Sequence, residues 1–239
     1  MTKQKHHDRA AAFQQALHQL APSFGLNMND ALAKALSDHY IAMLKWNKVA
    51  HLTSVVDPYE AARIHYLESL YASQFIQPQL ESLVDIGSGP GFPGIVLATI
   101  RPTLKVVLIE SQSRKASFLK NISRELGLSN IAVFHGRFQE YQNQCFDLVS
   151  CRAIDKMATI LPEIFLFAKA CYQILFFSGN ELFYKCLDLF KENWDATRYK
   201  IPLSRNRWII SLLKIVPRET NTNCGGKTHV HGAQKPAET

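Results

Sequence analysis

The sequence predicts an α/β fold, in which a mostly parallel sheet carries helices on both faces and follows an N-terminal helical extension. From residue 83 onward, short apolar runs alternate with longer amphipathic stretches, which is the pattern of parallel strands joined by helices. Before that point, apolar side chains recur three and four positions apart, as they do in helices. A glycine-rich turn directly after the first predicted strand completes the pattern, because such turns join a strand to a helix around a ligand.

The helices predicted in residues 1–80 span residues 10–20, 29–48 and 57–75. The third has the clearest start. Asp57 serves as the N-cap, Pro58 occupies the first turn, and Glu60 follows three residues after the cap. We expect this helix to end near residue 75, because Pro78 lies just beyond it.

The next part of the chain alternates between two element types. The predicted strands are 83–86, 105–110, 131–135, 146–150 and 174–177, and the predicted helices are 94–100, 113–126 and 162–172. Residues 181–194 favour a further helix, and residues 208–216 favour an antiparallel strand at the sheet edge. We therefore expect residues 81–217 to form the main domain. Residues 218–239 are polar and poor in apolar side chains, which predicts a disordered tail.

Length, net charge, hydropathy and cysteine content limit the classes of protein to which the chain can belong. A chain of 239 residues suits one main domain with an additional segment, and its net charge of +7 favours a polyanionic partner such as RNA. The longest apolar stretch, residues 164–177, is too short to span a bilayer and is interrupted by Lys169 and Gln173. The five cysteines are odd in number and form no Cys-x-x-Cys pair, which argues against disulfides and zinc. We expect a cytoplasmic protein with no metal site and no membrane partner.

Residues 83–94 read LVDIGSGPGFPG and carry the strongest functional signal. Gly87, Gly89 and Gly91 follow Asp85, which ends a short apolar run near the end of the predicted strand. Glycine permits positive φ angles and close backbone approach, and the next helix begins with unpaired N–H groups. A carboxylate at the strand end disfavours a phosphate and favours a cationic or hydrogen-bond-donating ligand. The loop therefore predicts an S-adenosyl-L-methionine (SAM) site in a Rossmann-like SAM-dependent methyltransferase fold.

A dinucleotide site is the competing interpretation of the same loop. Residues 89–94 also satisfy G-x-G-x-x-G, which would imply an NAD-type oxidoreductase. In that fold the first glycine lies immediately after the strand, a position held here by Gly87. Counting from Gly87 places Phe92 where the third glycine belongs. The spacing therefore favours SAM.

Other chemically informative residues follow the predicted strands. Glu110 ends the second strand, where an acid can accept both ribose hydroxyl protons of an adenosyl group. Phe138 and Gln139 follow the third strand and can pack on the adenine or reach its edge. Arg152 follows the fourth strand and offers a planar donor fork for a carboxylate or phosphate, unless it pairs with Asp147 or Asp155. Since parallel strands end at one sheet edge, we expect these side chains to face one crevice.

Several motifs resemble, in the right order, those of the bacterial small-subunit ribosomal RNA methyltransferase G family, also called GidB. They are residues 45–48 (KWNK), 51–54 (HLTS), 57–60 (DPYE), 63–69 (RIHYLES), 85–94 (DIGSGPGFPG), 110–115 (ESQSRK) and 150–153 (SCRA). Together they cover roughly residues 30 to 155. Because several motifs are combined, the resemblance is much more specific than the glycine loop alone.

The resemblance implies transfer of the SAM methyl group to N7 of a guanine in 16S rRNA, with 16S rRNA or the small ribosomal subunit as partner. It also implies cofactor contacts at Gly87, Phe92, Phe138, Gln139 and Arg152. No general base is nominated, because guanine N7 carries a lone pair and no proton. The candidates for RNA contact or orientation are Arg63, His65, Arg137 and Arg152.

The chain departs from the family pattern after about Ala170. Ser178 and Gly179 stand where a Lys-Gly pair is usual. This difference leaves open a SAM-binding or RNA-binding protein without catalysis.

Overall fold

The computed structural model describes residues 3–142, 146–152, 157–190 and 192–215. The predicted tail at 218–239 lies outside the described residues. Among the residues described, no helix is both long enough and apolar enough to cross a bilayer.

Helices make up the first part of the chain, as the sequence predicts. They are α1 Lys3–Leu20, α2 Asp30–Ala50, α3 Pro58–Ala61 and α4 Glu68–Ala72, with a π-helical turn at Ala62–Leu67 and 3₁₀ turns at Ala21–Phe24 and Ser73–Phe75. The Asp57 side chain accepts a hydrogen bond from the Glu60 N–H, so the predicted N-cap is confirmed. From α3 to residue 75 the chain is helical throughout, with the π turn in the middle.

Within the described residues, seven strands form one sheet in the order β3-β2-β1-β4-β5-β7-β6. Their bounds are β1 Ser82–Ile86, β2 Lys105–Glu110, β3 Ile131–His135, β4 Leu148–Arg152, β5 Gln173–Ser178, β6 Trp194–Lys200 and β7 Trp208–Lys214. β1 to β5 pair in parallel, and β7 runs antiparallel to β5 and β6. The connecting helices are α5 Gly94–Ile100, α6 Ser113–Glu125, α7 Met157–Phe167 and α8 Asn180–Phe190. The predicted fold class is confirmed.

Two apolar clusters lie on opposite faces of the sheet. One joins α1, α2 and the helical turns that follow to α5, α6 and alternate strand residues such as Leu83 and Leu108. The other joins α7 and α8 to the intervening strand residues, including Val84 and Val149. The N-terminal helices therefore share a core with the sheet and cover the face that carries α5 and α6.

Some predicted boundaries were wrong. The fourth strand starts at Leu148 instead of residue 146, because the Asp147 carboxylate caps the backbone of Glu81 and Ser82 at the strand's amino end. It continues through Arg152 because that residue still pairs with Phe177 of β5.

The seventh helix and the C-terminal strands also differ from the predictions. The helix predicted at 162–172 spans Met157–Phe167, and the Tyr172 N–H already donates to the Asp147 carbonyl at the sheet. The helix predicted at 181–194 ends at Phe190, and Trp194 opens β6, a strand the sequence did not predict. β6 is the edge strand, so β7 is antiparallel but interior.

Candidate functional site

The strand order reverses between β1 and β4, and the carboxyl ends of β1, β2 and β4 meet at this reversal. In open α/β sheets, the ligand crevice lies outside the carboxyl ends at such a point. The glycine loop follows β1, Glu110 ends β2 and Arg152 ends β4. The structure therefore places these predicted site residues along one sheet edge.

Backbone geometry explains the three alternating glycines. Gly87, Gly89 and Gly91 have φ angles of 68°, 56° and 100°, a region that L side chains rarely adopt. The N–H of Gly87 donates to the Ile109 carbonyl at 2.9 Å, which ties the start of the loop to β2. The loop is therefore held in a backbone conformation in which residues other than glycine would be strained.

The two sides of the loop differ in the space they leave. A Cβ on Gly91 would lie 2.4 Å from Cδ1 of Ile95, and a Cβ on Gly94 would lie 2.3 Å from Cδ2 of Leu108. A Cβ on Gly89 would meet only a backbone oxygen, at 3.9 Å. The inner side therefore packs directly on α5 and β2, whereas the side at Gly89 faces open space.

Asp85 is buried and bonded within the protein. Ser150 Oγ donates to its Oδ1 at 2.6 Å, and the Gly94 N–H donates to its Oδ2 at 3.2 Å. Burial raises the pKa of Asp85 to about 6, and the hydrogen bond from Ser150 partly opposes this rise. Asp85 therefore links β1 to β4 and to the first turn of α5. These two hydrogen bonds fix both ends of the glycine loop. Direct contact of Asp85 with a cofactor remains a prediction.

Glu110 lies against the open side of the glycine loop. Its Oε2 accepts the Gly89 N–H at 2.9 Å, and its Oε1 accepts the Gln112 N–H at 2.8 Å. The residue is only 5% exposed. A carboxylate oxygen can accept more than one hydrogen bond, so both oxygens keep acceptor capacity for ligand hydroxyls.

The N-terminal helices clamp the loop through His39 on α2. Its Nε2 lies 3.0 Å from the Pro90 carbonyl oxygen, and its Nδ1 lies 2.7 Å from the Tyr66 hydroxyl. Because a carbonyl only accepts, Nε2 must carry the proton and Nδ1 must accept from Tyr66. His65 also stacks on Phe92 of the loop, with ring centroids 4.7 Å apart. The helical extension is therefore part of the loop's support.

Replacing His39 with glutamine should make the stability difference depend on pH. Burial lowers the pKa of His39 to about 4 from 6.5, so wild-type stability falls as pH drops through this window. The variant lacks this loss. We expect its stability deficit at pH 7 to shrink by about 2 kcal/mol at pH 4.5. Urea unfolding at both pH values measures this difference, and His7→Gln at an exposed position of α1 controls for histidine replacement. An equal His39→Gln deficit at both values would contradict the expectation.

Arg152 points into a buried ion pair that links β4 to the N-terminal helices. Its Nη2 lies 3.2 Å from Oε2 of Glu68 and 2.7 Å from the Ile64 carbonyl. Arg207 reaches the same Oε2 of Glu68 at 2.7 Å. Burial lowers the pKa of Arg152 to about 10, while Glu68 opposes this change. Its predicted contact with a cofactor carboxylate or phosphate therefore competes with an existing partner.

The other predicted residues lie in the π-helical turn of the extension and in the segment that follows β3. Arg63 is paired with Glu60 at 2.6 Å and donates to the Leu203 carbonyl. Arg137 is exposed. Phe138 is buried edge-to-face against a ring of α7. Gln139 is exposed and donates to a carboxylate of α7 at 2.6 Å.

Sequence reasoning assigned His39 and Glu68 no role of their own at the site, and it predicted Ser150 only to lie at a strand end facing the crevice. His39 and Glu68 are polar residues on otherwise apolar helix faces, and this pattern is the sequence feature that could have indicated a buried polar contact. Their partners lie 51 and 84 positions away, so only the fold could reveal the contacts.

Comparisons with known proteins agree with this geometry. Solved structures of methyltransferases share the fold: TrmK of M. capricolum, in complex with S-adenosyl-homocysteine, has a TM-score of 0.51 at 14% identity over 62% of this chain and 68% of that chain. The fold is therefore that of the Rossmann-like methyltransferases. The family model for rRNA small subunit methyltransferase G matches residues 32–194, and the chain belongs to that family.

Curated relatives carry the same family name. Ribosomal RNA small subunit methyltransferase G of Alkalilimnicola ehrlichii is 33% identical over 166 residues, which are 69% of this chain and 74% of the relative. The protein of that name from Actinobacillus pleuropneumoniae serotype 5b is 38% identical over 139 residues, which are 58% of this chain and 67% of the relative. The predicted family is confirmed.

Proposed function

We propose that this protein is a SAM-dependent methyltransferase that methylates N7 of a guanine in 16S rRNA of the small ribosomal subunit. The observation that carries the proposal is the family match over residues 32–194. The matched part includes His39 and His65, which contact the glycine loop, the loop itself, and the ends of β2 and β4. The net charge of +7 fits an RNA partner. A cytoplasmic location is part of the same proposal.

The residues at the sheet edge fit SAM in chemistry and space. Open space beside Gly89 gives room for a ligand, and the neighbouring Glu110 carboxylate suits ribose hydroxyls. Phe138 and Gln139 follow β3 just after Gly136, whose N–H donates to the Glu110 carbonyl, and they suit adenine in this proposal. Asp85, Gly87, Gly91 and Phe92 hold the loop around the methionine end in this proposal.

The proposed methyl transfer does not need a general base. Bound SAM supplies an electrophilic methyl group on a sulfonium. Guanine N7 has a free lone pair, so no proton has to be removed before attack. The chain's task is therefore positioning, which alone can account for a large share of a rate enhancement. Arg63, His65, Arg137 and Arg152 are the proposed orienting or RNA-contacting groups around this edge.

Methyl transfer from radiolabelled SAM to purified small subunits and to naked 16S rRNA tests the proposal. Mass spectrometry of the digested RNA should show 7-methylguanosine. Calorimetry with SAM and NAD in competition should show binding of SAM alone. Normal SAM binding without incorporation into either substrate would contradict the catalytic proposal, whereas NAD binding would support the oxidoreductase alternative.

Glu110→Gln should weaken SAM binding about tenfold. The substitution removes the negative charge and turns one acceptor oxygen into an NH2 donor. That donor then faces either a backbone N–H or a ribose hydroxyl, so a hydrogen bond to the charged carboxylate is lost. Such hydrogen bonds contribute roughly 1.5–3 kcal/mol. Calorimetry measures the affinity. Glu125→Gln, at an exposed position of α6, is the matched control and should bind SAM like the wild type. Unchanged affinity in Glu110→Gln would remove Glu110 from the cofactor site.

A further inference from the structure

The hairpin of β6 and β7 extends the carboxyl edge of the sheet beyond the candidate site. Arg152 of β4 pairs with Phe177 of β5, and the next residue, Ser178, pairs with Trp208 of β7. Trp208 in turn pairs with Lys200 at the end of β6. Since neighbouring strands lie about 4.8 Å apart, this end of the hairpin is roughly 10–15 Å from Arg152. A polymer bound at the site can reach it.

Cations and aromatic rings are interleaved on this part of the hairpin. The Arg198 guanidinium lies 4.8 Å from the ring centroids of Phe183 and Trp208, and 5.3 Å from that of Tyr184. The Lys200 ammonium lies 5.0 Å from the Trp208 ring. Tyr184 is 51% exposed, so one aromatic ring remains open to solvent.

Within residues 196–213 the hairpin carries only basic charge, whereas Tyr184 of α8 lies between Glu181 and Asp188. Residues 196–213 contain four basic residues and no acidic residue. Among the described ion pairs, only Arg207 of these four has a carboxylate partner. Lys200 instead donates to the Arg205 carbonyl at 2.6 Å, and both residues are exposed. Phosphates would neutralise hairpin charge that has no ion-pair partner among the described residues.

The loop between the two strands is held in place. Arg63 donates to the Leu203 carbonyl at 3.0 Å, and Ser204 Oγ contacts the carbonyls of Ile201 and Arg207. Its cations are therefore presented from a fixed turn anchored to the helical extension. A fixed surface loses less conformational freedom on binding than a flexible one.

We propose that the surface formed by Tyr184 of α8 together with Arg198, Lys200, Arg205 and Trp208 of the hairpin binds a single-stranded RNA segment next to the methylated guanine. The proposal rests on the proposed rRNA methyltransferase function. Basic grooves with exposed aromatic rings bind single strands by contacting phosphates and stacking on bases. The family match ends at residue 194, where β6 begins, so the two strands of the hairpin lie beyond the matched residues.

The test compares two double variants in fluorescence anisotropy with a labelled 12-nucleotide single-stranded RNA. Lys200→Gln/Arg205→Gln removes two hairpin charges, and Lys105→Gln/Lys169→Gln removes two exposed charges at the amino edge of the sheet. We expect only the hairpin variant to raise Kd several-fold. The salt slope of its binding should fall by about 0.7 for each phosphate that the variant no longer neutralises.

Tyr184 provides an independent test of base stacking. We expect Tyr184→Ala to raise Kd about fivefold or more, and Tyr184→Phe to leave it unchanged because the ring is kept. All variants should bind SAM with wild-type affinity in calorimetry. If the hairpin variants bind the RNA as the control does, while the wild type methylates small subunits, this inference is overturned and the proposed function stands. Failure of the wild type to methylate would instead contradict the proposed function.

Discussion

Gly91→Ala is expected to lower SAM affinity at least tenfold and to destabilise the fold by roughly 2–4 kcal/mol. Two effects add. The φ angle of 100° lies in a region that L residues rarely adopt, and strain of this kind costs about 1–3 kcal/mol. A Cβ would also lie 2.4 Å from Cδ1 of Ile95, which is completely buried, and overpacking costs about 1–3 kcal/mol. Part of the strain is relieved by moving the loop, which displaces the ligand-facing backbone.

Gly127→Ala is the matched control for this expectation. Gly127 also has a positive φ, 66°, but a Cβ there would meet no atom within 4 Å, and it lies past the end of α6 instead of in the loop. We expect a stability loss of about 1 kcal/mol and normal SAM affinity. Calorimetry and urea unfolding of both variants measure the two effects.

A second substitution reduces the clash without changing the backbone strain, although a γ carbon of residue 95 still lies 2.7 Å from the added Cβ. In Gly91→Ala/Ile95→Val the closest clashing atom, Cδ1 of Ile95, is absent. We expect the double variant to recover part of the stability while keeping the φ penalty. Wild-type SAM affinity in Gly91→Ala would mean that the loop does not hold the cofactor.

The sequence predicted those parts of the site that depend on local order. Residues 83–94 encode a strand, a turn and a helix start within twelve positions, so the loop could be predicted without knowledge of the fold. Glu110 was found for the same reason, because it ends a β-branched strand whose bounds were predicted as observed. Local patterns of this kind fix short elements and the side chains at their ends.

Contacts between distant parts of the chain could not be predicted. The sequence predicted the helices of the extension but not their contacts with the glycine loop, which His39 and His65 make. β6 was missed because its outward-facing residues are polar and half-exposed, as at an edge strand, and give little apolar alternation. In both cases the outcome depends on a contact with a distant part of the chain: the glycine loop for the two histidines, and β7 for β6. Such tertiary contacts override local propensity.

Removing the charge of Arg152 is expected to have the largest effect on stability. Among the described ion pairs, Arg152→Met leaves Glu68, which is completely buried, with the partly exposed Arg207 as its remaining partner. It also removes the donor that the Ile64 carbonyl uses in the π-helical turn. Breaking a buried ion pair from one side typically costs about 3–5 kcal/mol, because the remaining charge stays desolvated. Urea unfolding should show a loss of this size.

Arg63→Met is the control, since it makes the same replacement within the π-helical turn that Arg152 contacts. The side chains of Arg63 and its partner Glu60 are 19% and 43% exposed to solvent, so this pair is less desolvated than Arg152 and Glu68, and we expect a smaller loss of stability. A double-mutant cycle with Glu68→Gln isolates the pairwise term. We expect Arg152→Met/Glu68→Gln to be less destabilised than the sum of the single variants, because neutralising Glu68 removes the stranded charge. Additive losses would show that Arg152 and Glu68 do not act as a pair.

The same variants distinguish the two roles of Arg152. If Arg152 acts only by holding the π-helical turn, Arg152→Met/Glu68→Gln should recover SAM affinity together with stability. If the guanidinium also contacts the cofactor, the double variant should recover stability while SAM affinity stays low. The second result would mean that the buried pair opens on ligand binding, since Nη2 of Arg152 is engaged by both Glu68 and the Ile64 carbonyl in the structure. Calorimetry on the stabilised double variant therefore decides whether the link between the helical extension and β4 is a fixed support or part of the cofactor site.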